Sequence, residues 1–295
     1  MPLKRIKVHF DCPPDFGRAI RRHWEMVLRY RPPCIEVVSD GPSATVQVVP
    51  LCYPEDLSRV TNDNYVLYVH NGLGMLYDNP TEMNVLRQSF ERSLLVSSWA
   101  NLKADFKGNY LFARVPCGVD PETFIDAGQP RAHAIFIHGF VGTYFQEGQT
   151  LPAGEPIDEC LQACARLSRS FIYAGGHREG VVNSYVEDDA QVAILYNQCQ
   201  YVQGMRWRDG FECPVIEGLL CGCRPIVFNY ESARFWFGDH TIMLEPDPES
   251  LEDQLATVLG TDPTPVSYEE RDLFARKFAW KKVAKDFWDA VLDAL

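Results

Sequence analysis

Asp209-Gly-Phe-Glu-Cys-Pro-Val-Ile-Glu217, continued by Gly218-Leu-Leu-Cys-Gly-Cys-Arg-Pro-Ile-Val-Phe228, sets two carboxylates eight positions apart across a loop, a short helix and a strand. Gly210 and Pro214 punctuate the loop and the apolar run 215–221 reads as a helix. Gly222 is placed to end it, and residues 225–228 read as a buried strand. A helix start offers unpaired amides and the positive end of the helix dipole, both of which attract an anion such as phosphate. Asp209 and Glu217 are spaced to accept hydrogen bonds from sugar hydroxyls beside it. The simpler alternative is a helix whose acids only cap and solvate it.

On both sides of this stretch, strand-like and helix-like segments alternate, the pattern of a mainly parallel sheet covered by helices. Strands are expected at 6–10, 35–39, 45–49, 65–70, 94–97 and 111–115, with helices at 18–30, 81–90 and 99–106. Pro116-Cys-Gly-Val-Asp-Pro121 breaks the series. A second series has strands at 134–138, 170–174 and 201–204, helices at 157–167 and 188–197, and loops over 139–156 and 175–180. Three helices, at 248–259, 267–278 and 280–295, close the chain. Two such series imply two domains facing each other across a cleft, because ligands of open parallel sheets bind outside the carboxyl ends of the strands. The alternative is one domain with a long insertion.

The 295 residues suffice for two modest cores, and 46% apolar with 12% aromatic residues is a globular composition. A formal net charge of -12 argues against a broad basic face for nucleic acid, so any phosphate site must be local. Ten cysteines show no Cys-x-x-Cys and no disulfide framework. The pairs Cys160/Cys164 and Cys221/Cys223 therefore read as reduced, buried thiols and not as metal ligands. The first ten residues lead straight into a strand pattern and no apolar run approaches the roughly 20 residues of a membrane span. The expectation is a protein of a reducing cytoplasm, without stable membrane insertion.

These residues resemble the retaining glycosyltransferases of family 4, whose GT-B architecture is α/β, two facing Rossmann-like domains with a cleft between them. The family's donor motif is Glu-Gly-Phe-Gly-x-Pro-x-x-Glu-(Ala/Gly)-x-x-x-Gly-x-Pro-Val, to be set against residues 209–227. Further matches are Leu95-Val-Ser-Ser-Trp99, Val115-Pro-Cys-Gly-Val-Asp-Pro-Glu-Thr-Phe124 and Phe278-Ala-Trp-Lys-Lys-Val-Ala284. The resemblance implies an acceptor-side domain over 1–125, a nucleotide-sugar domain over 126–278, and a C-terminal helix over 279–295 that packs back on the first domain. It implies transfer of a sugar from a nucleotide diphosphate sugar to an acceptor hydroxyl, with retention. The donor is a co-substrate, and no metal and no further cofactor take part.

Position by position, the resemblance makes Glu217 a ligand of the nucleotide ribose and Asp209 a ligand of the transferred sugar. Amides at Phe211, Glu212 and Cys213 would hold that sugar's hydroxyls, and Gly17 would let a first-domain loop approach the phosphates. His70, in Tyr65-Val-Leu-Tyr-Val-His-Asn-Gly72, stands where a family histidine touches the donor sugar, with Asn71 beside it; it reads equally as a structural histidine. Three departures stand out. Asp209 replaces a glutamate, so its partner must lie closer or be reached through water. Glu212 replaces a glycine and either recognises an unusual sugar or points to solvent. The loop His138-Gly-Phe-Val-Gly-Thr-Tyr-Phe-Gln-Glu-Gly-Gln-Thr150 lacks the family's Arg and Lys for the diphosphate, and no lysine occurs between Lys107 and Lys277. Arg206 and Arg208, then Arg178 in Gly175-Gly-His-Arg-Glu-Gly180, are the arginines left to compensate; surface arginines are the plain alternative.

The acceptor stays open: a glycan, a lipid-linked group, a protein, or a hydroxymethylated DNA base. A short first domain suggests room for an extended one. The basic stripe Arg18-Ala-Ile-Arg-Arg-His-Trp24, with Arg29 and Arg31, suits a phosphate polymer or membrane surface, or is a solvated helix face. A rival reading is a catalytically weak or inactive sugar-nucleotide or glycan-binding protein of the same fold, favoured by the missing Arg and Lys. A binding protein of the periplasmic kind is disfavoured by the many free cysteines.

Overall fold

The computed structural model describes residues 5–11, 18–51, 54–69, 94–97, 111–139, 141–146, 149–207 and 210–295. The chain divides into two compact units, Met1–Gly118 with Trp280–Leu295, and Val119–Ala279. The helices expected at 81–90 and 99–106 lie outside the described residues.

The first unit holds β1 (Ile6–Phe10), α1 (Arg18–Arg29), β2 (Ile35–Val38), β3 (Val46–Leu51), a 3-10 turn (Pro54–Arg59), β4 (Tyr65–Val69), β5 (Leu94–Ser97) and β6 (Leu111–Arg114). Its six strands are parallel, in the order β2-β1-β3-β4-β5-β6. A parallel sheet is covered on both faces, which is why β3 reads as an unbroken run and is buried throughout. The polar residue in that run, Gln47, is satisfied: its amide donates to Arg59 O at 2.8 Å and accepts from Thr61 N at 2.8 Å. On α1, Trp24 and Val27 face the core while Arg21 and Arg29 stay in water, and Arg22 lies over the Trp280 ring. The last helix, here Trp280–Asp293, belongs to this unit; Trp288 Nε1 donates to Val27 O at 2.9 Å, and Phe287 stands edge-on to Trp24.

The second unit contains β7 (His133–Gly139), β8 (Val141–Gln146), β9 (Gln149–Gly154), α2 (Ile157–Arg166), β10 (Phe171–Gly175), α3 (Asp189–Tyr196), β11 (Cys199–Gln203), α4 (Cys213–Leu220), β12 (Arg224–Phe228), α5 (Glu231–Phe237), β13 (Ile242–Leu244), α6 (Leu251–Leu259) and α7 (Tyr268–Phe278). The helix of the first unit that follows, Trp280–Asp293, is α8. The main sheet is parallel, in the order β10-β7-β11-β12-β13. Successive side chains of β7 point to opposite faces, so Ile135 and Ile137 enter the layer under α2 and α6, and Phe136 enters the layer under α3, α4 and α7. The unit starts at Val119, whose amide donates to Phe278 O at 2.8 Å.

Two departures from the sequence reading concern this unit. Within the stretch 139–156, expected as a loop, Val141–Gln146 and Gln149–Gly154 pair as the antiparallel strands β8 and β9, with Val141 opposite Gly154 and Gln146 opposite Gln149. Its glycines and proline suggest a loop, but Val141, Thr143, Tyr144 and Phe145 are strand formers, and these prevail. The sequence reading also has no element at α5 or β13. Helix α5 is seven residues rich in aromatics, too short to show a period before its buried set Ser232, Ala233, Trp236 and Phe237 is known. At the start of β12 the buried Arg224 grips Glu270 with two hydrogen bonds of 2.8 and 3.2 Å, and Glu270 also closes the capping box of α7 with Ser267.

Candidate functional site

In the second sheet the chain goes from β7 to β10 on one side and then crosses to β11 on the other. The crevice of such a sheet lies where the strand order reverses, between the loops after β7 and β11. His138 sits at the end of β7 and Gln203 at the end of β11, and the two strands are tied across this point by His138 Nε2 donating to Gln203 O at 2.6 Å. A carbonyl only accepts, so the ring carries its proton on Nε2. The residue keeps some exposed surface but its ring is enclosed, and burial brings its pKa from 6.5 down to about 4, with Arg206 pushing the same way against the Gln203 bond. His138 is therefore neutral near pH 7.

Gly139 follows with φ +108°, a left-handed conformation that glycine adopts freely. A Cβ there would meet Glu155 Oε2 at 2.3 Å, so the carboxylate of Glu155 rests directly on this glycine. Glu155 is 5% exposed. Across the crevice, Arg206 Nε lies 3.9 Å from Glu155 Oε1, and its terminal nitrogen lies 3.6 Å from Glu212 Oε1. Glu212 first, then Glu155, raise the arginine's pKa, so it stays charged. One cation thus stands between two carboxylates beside a neutral imidazole. Arg206, Glu212, Gly204, Gly210, Tyr230 and Phe237 line a small cavity of about 20 Å³, room for one water.

Helix α4 rises from this point. Glu212 occupies its N-cap position without a side-chain cap, and Pro214 stands in its first turn, where a missing N–H costs nothing. Phe211 is anchored by Trp236, Phe237 and Phe278, at ring separations of 5.7, 5.4 and 5.6 Å, which fixes the entry to the helix. Gly222, with φ +81°, ends the helix as its sequence position suggests. Glu217, one turn in, is 7% exposed and accepts a hydrogen bond at 3.2 Å from the Tyr196 hydroxyl.

No protein-family model matches the chain, and no curated protein sequence does. Solved structures do. Sucrose-phosphate synthase from Thermosynechococcus elongatus is similar with a TM-score of 0.66 at 12% identity, covering 99% of this chain and 100% of that one. HepE from Anabaena, solved in complex with UDP and glucose, has a TM-score of 0.69 at 12% identity with the same coverage. A glycosyltransferase from Rickettsia africae has a TM-score of 0.64, again at 12% identity and with 99% and 100% covered. The chain has the GT-B fold. At this identity the likeness is one of fold.

Within this GT-B chain, the residues singled out from sequence separate into three groups. Arg206, Phe211, Glu212, Cys213 and Glu217 are gathered along the β11-to-α4 connection and α4 itself. Arg178 is on the loop after β10, paired with Asp158 of α2, at the rim of an open hollow of about 650 Å³ that also includes Tyr173, His177 and Glu179. Gly17, His70, Asn71, Arg208 and Asp209 lie outside the described residues. Sequence reasoning did not single out Glu155, His138 or Tyr196 as site residues, although the missing Arg and Lys drew attention to the loop that His138 opens.

The eight described cysteines are free thiols. Burial raises the thiol pKa of Cys199, Cys221 and Cys223, the last to about 12, so these are inert core residues. Arg131 donates to Cys199 O and Cys221 O at 2.7 and 2.6 Å beneath them. Among the described residues, no group of three or more His, Cys, Asp or Glu is placed to hold a metal ion, and no helix is long and apolar enough to cross a membrane. The acidic excess is uneven: Val119–Ala279 contains 25 Asp and Glu against 11 Lys and Arg.

Proposed function

We propose that the protein is a glycosyltransferase that moves a sugar from a nucleotide diphosphate sugar to an acceptor hydroxyl, with retention and without a metal. The observation that supports this most is Glu217: a buried carboxylate on α4, on a GT-B fold, at the motif position that the family resemblance assigns to the ribose. In this reading Glu217 accepts from the ribose hydroxyls, and the first-turn amides of α4 face the sugar with Asp209. Arg206 counters the charge that develops on the departing diphosphate. His70, Gly17 and Arg178 remain donor-site assignments of the same reading. UDP is the first nucleotide to try, since one structural neighbour was solved with UDP and glucose.

The test is titration of the chain with UDP, GDP and ADP, followed by donor-sugar hydrolysis in the presence of a chelator. Binding of one nucleotide, slow hydrolysis of its sugar conjugate with chelator present, and loss of binding in Glu217→Ala are expected. Unchanged nucleotide affinity in Glu217→Ala would remove that residue from the site and the reading with it.

A second reading, a GT-B protein that binds a sugar nucleotide or glycan without turning it over, is favoured by one observation. Arg206, just before the donor motif, is already offset by Glu155 and Glu212. Saturable binding with neither hydrolysis nor transfer across a panel of donors and acceptors would select it.

A further inference from the structure

We infer that Tyr196 is the positioning residue for Glu217: its hydroxyl holds the carboxylate in the orientation that distinguishes a ribose from a sugar lacking its hydroxyls. The inference rests on the ribose role proposed for Glu217 and adds to it a residue from a different helix.

Tyr196 closes α3 and is 2% exposed. Its ring is set by Phe136 of β7 at 4.6 Å and by Phe124 at 6.2 Å. Its backbone oxygen is held in turn by the Cys223 thiol at 3.0 Å and by Arg131 at 3.4 Å. Ring and main chain are therefore pinned independently, and the hydroxyl at the far end has little freedom. It donates to Glu217 Oε2 at 3.2 Å. Burial first, and then the neighbouring Glu217, raise the phenol's pKa well above its usual value, so the oxygen keeps its proton and is a donor near neutral pH.

A buried carboxylate on a helix has two soft torsions near its end, and a hydrogen bond to one oxygen removes most of that freedom. With Oε2 fixed by the phenol, the plane of the carboxylate is fixed, and with it the direction in which the group meets a pair of vicinal hydroxyls. The lost rotamer freedom is then borne by folding and not by ligand binding. A ligand without those hydroxyls gains nothing from this orientation, so the effect of Tyr196 appears only with ribonucleotides.

The experiment is calorimetric titration of the full chain with UDP and with 2′,3′-dideoxy-UDP, for the unmodified protein, Tyr196→Phe, Glu217→Gln and the double variant. Urea unfolding midpoints serve as the check on folding. Tyr196→Phe should weaken UDP about tenfold, the effect of losing a hydrogen bond to a charged group, and dideoxy-UDP less than about twofold. In the Glu217→Gln background the same substitution should change UDP affinity less than about twofold. Equal weakening of both nucleotides, or effects that multiply in the double variant, would mean that Tyr196 acts only as a core residue and would overturn the inference. If Glu217→Gln weakens UDP but Tyr196→Phe leaves the ratio of the two nucleotides untouched, this inference alone falls. If Glu217→Gln leaves UDP affinity unchanged, the ribose role falls and takes the inference with it.

Discussion

Replacing Arg206 by glutamine removes the cation between Glu155 and Glu212 and leaves their carboxylates facing a neutral group. The side chains of the two acids are 6% and 13% exposed, and that of the arginine is 32% exposed. Exposed ion pairs are worth about 0–1 kcal/mol, and breaking a buried one costs about 3–5 kcal/mol. With separations of 3.6 and 3.9 Å and a guanidinium one-third in water, the loss should fall between these limits, at about 2 kcal/mol near pH 7. The loss should also depend on pH. Without the arginine, burial beside no cation disfavours the ionised form of each carboxylate in the folded state. The folded variant then binds more protons, and its deficit shrinks as pH falls from 8 to 5. Urea unfolding at both pH values, on the unmodified chain, Arg206→Gln and Arg206→Gln/Glu155→Gln, measures this. The double variant should recover at least about half of the loss at pH 8. An equal deficit at both pH values, with no recovery in the double variant, would show that Arg206 acts by packing and not by charge. The functional corollary is that Glu155→Gln alone, by freeing the arginine from one competitor, should tighten nucleotide binding severalfold.

Glu270 is held at a pKa of about 2, well below its usual 4.5, chiefly by its bonds to Arg224. Its contribution is present above pH 4.5 and is lost as pH falls toward 2, so Glu270→Gln should cost about 3 kcal/mol at pH 7 and progressively less in acid, as read by urea unfolding. His138 has the opposite chemistry but the same acid side: the unfolded ring binds a proton near 6.5 and the folded one only near 4. Stability should therefore fall as pH drops from 6.5 to 4, by at most about 3 kcal/mol, and His138→Gln should flatten that slope. An unchanged slope in the variant would mean that another group titrates there.

Several features could be read from the chain directly. The α/β class and the double series of strands follow from apolar periodicity, and residues 215–228 fold as their pattern suggests, because caps, turns and runs are set by neighbours within one or two turns. The free, inert thiols were legible for a similar reason: their spacing suited no framework. The paired strands Val141–Gln146 and Gln149–Gly154 were missed because loop-type residues outvoted strand formers in a stretch too short for a clear alternation.

The candidate site was legible only as separate residues. Glu217 and the residues around it stood out by spacing, but nothing in the spacing says that Tyr196, 21 positions earlier, supplies its hydrogen bond. The strap from His138 to Gln203 joins residues 65 apart. It exists because β7 and β11 are neighbours in the sheet, a matter of strand order that no local run encodes. The balance around Arg206 belongs to the same class. The sequence shows neither cation in the loop where the resemblance puts two and leaves Arg206 among the arginines that could compensate, but only the folded crevice shows Glu155 reaching it from beyond the paired strands β8 and β9. Periodicity and capping are properties of consecutive residues, whereas charge compensation depends on which distant strands the packing of two apolar faces brings side by side.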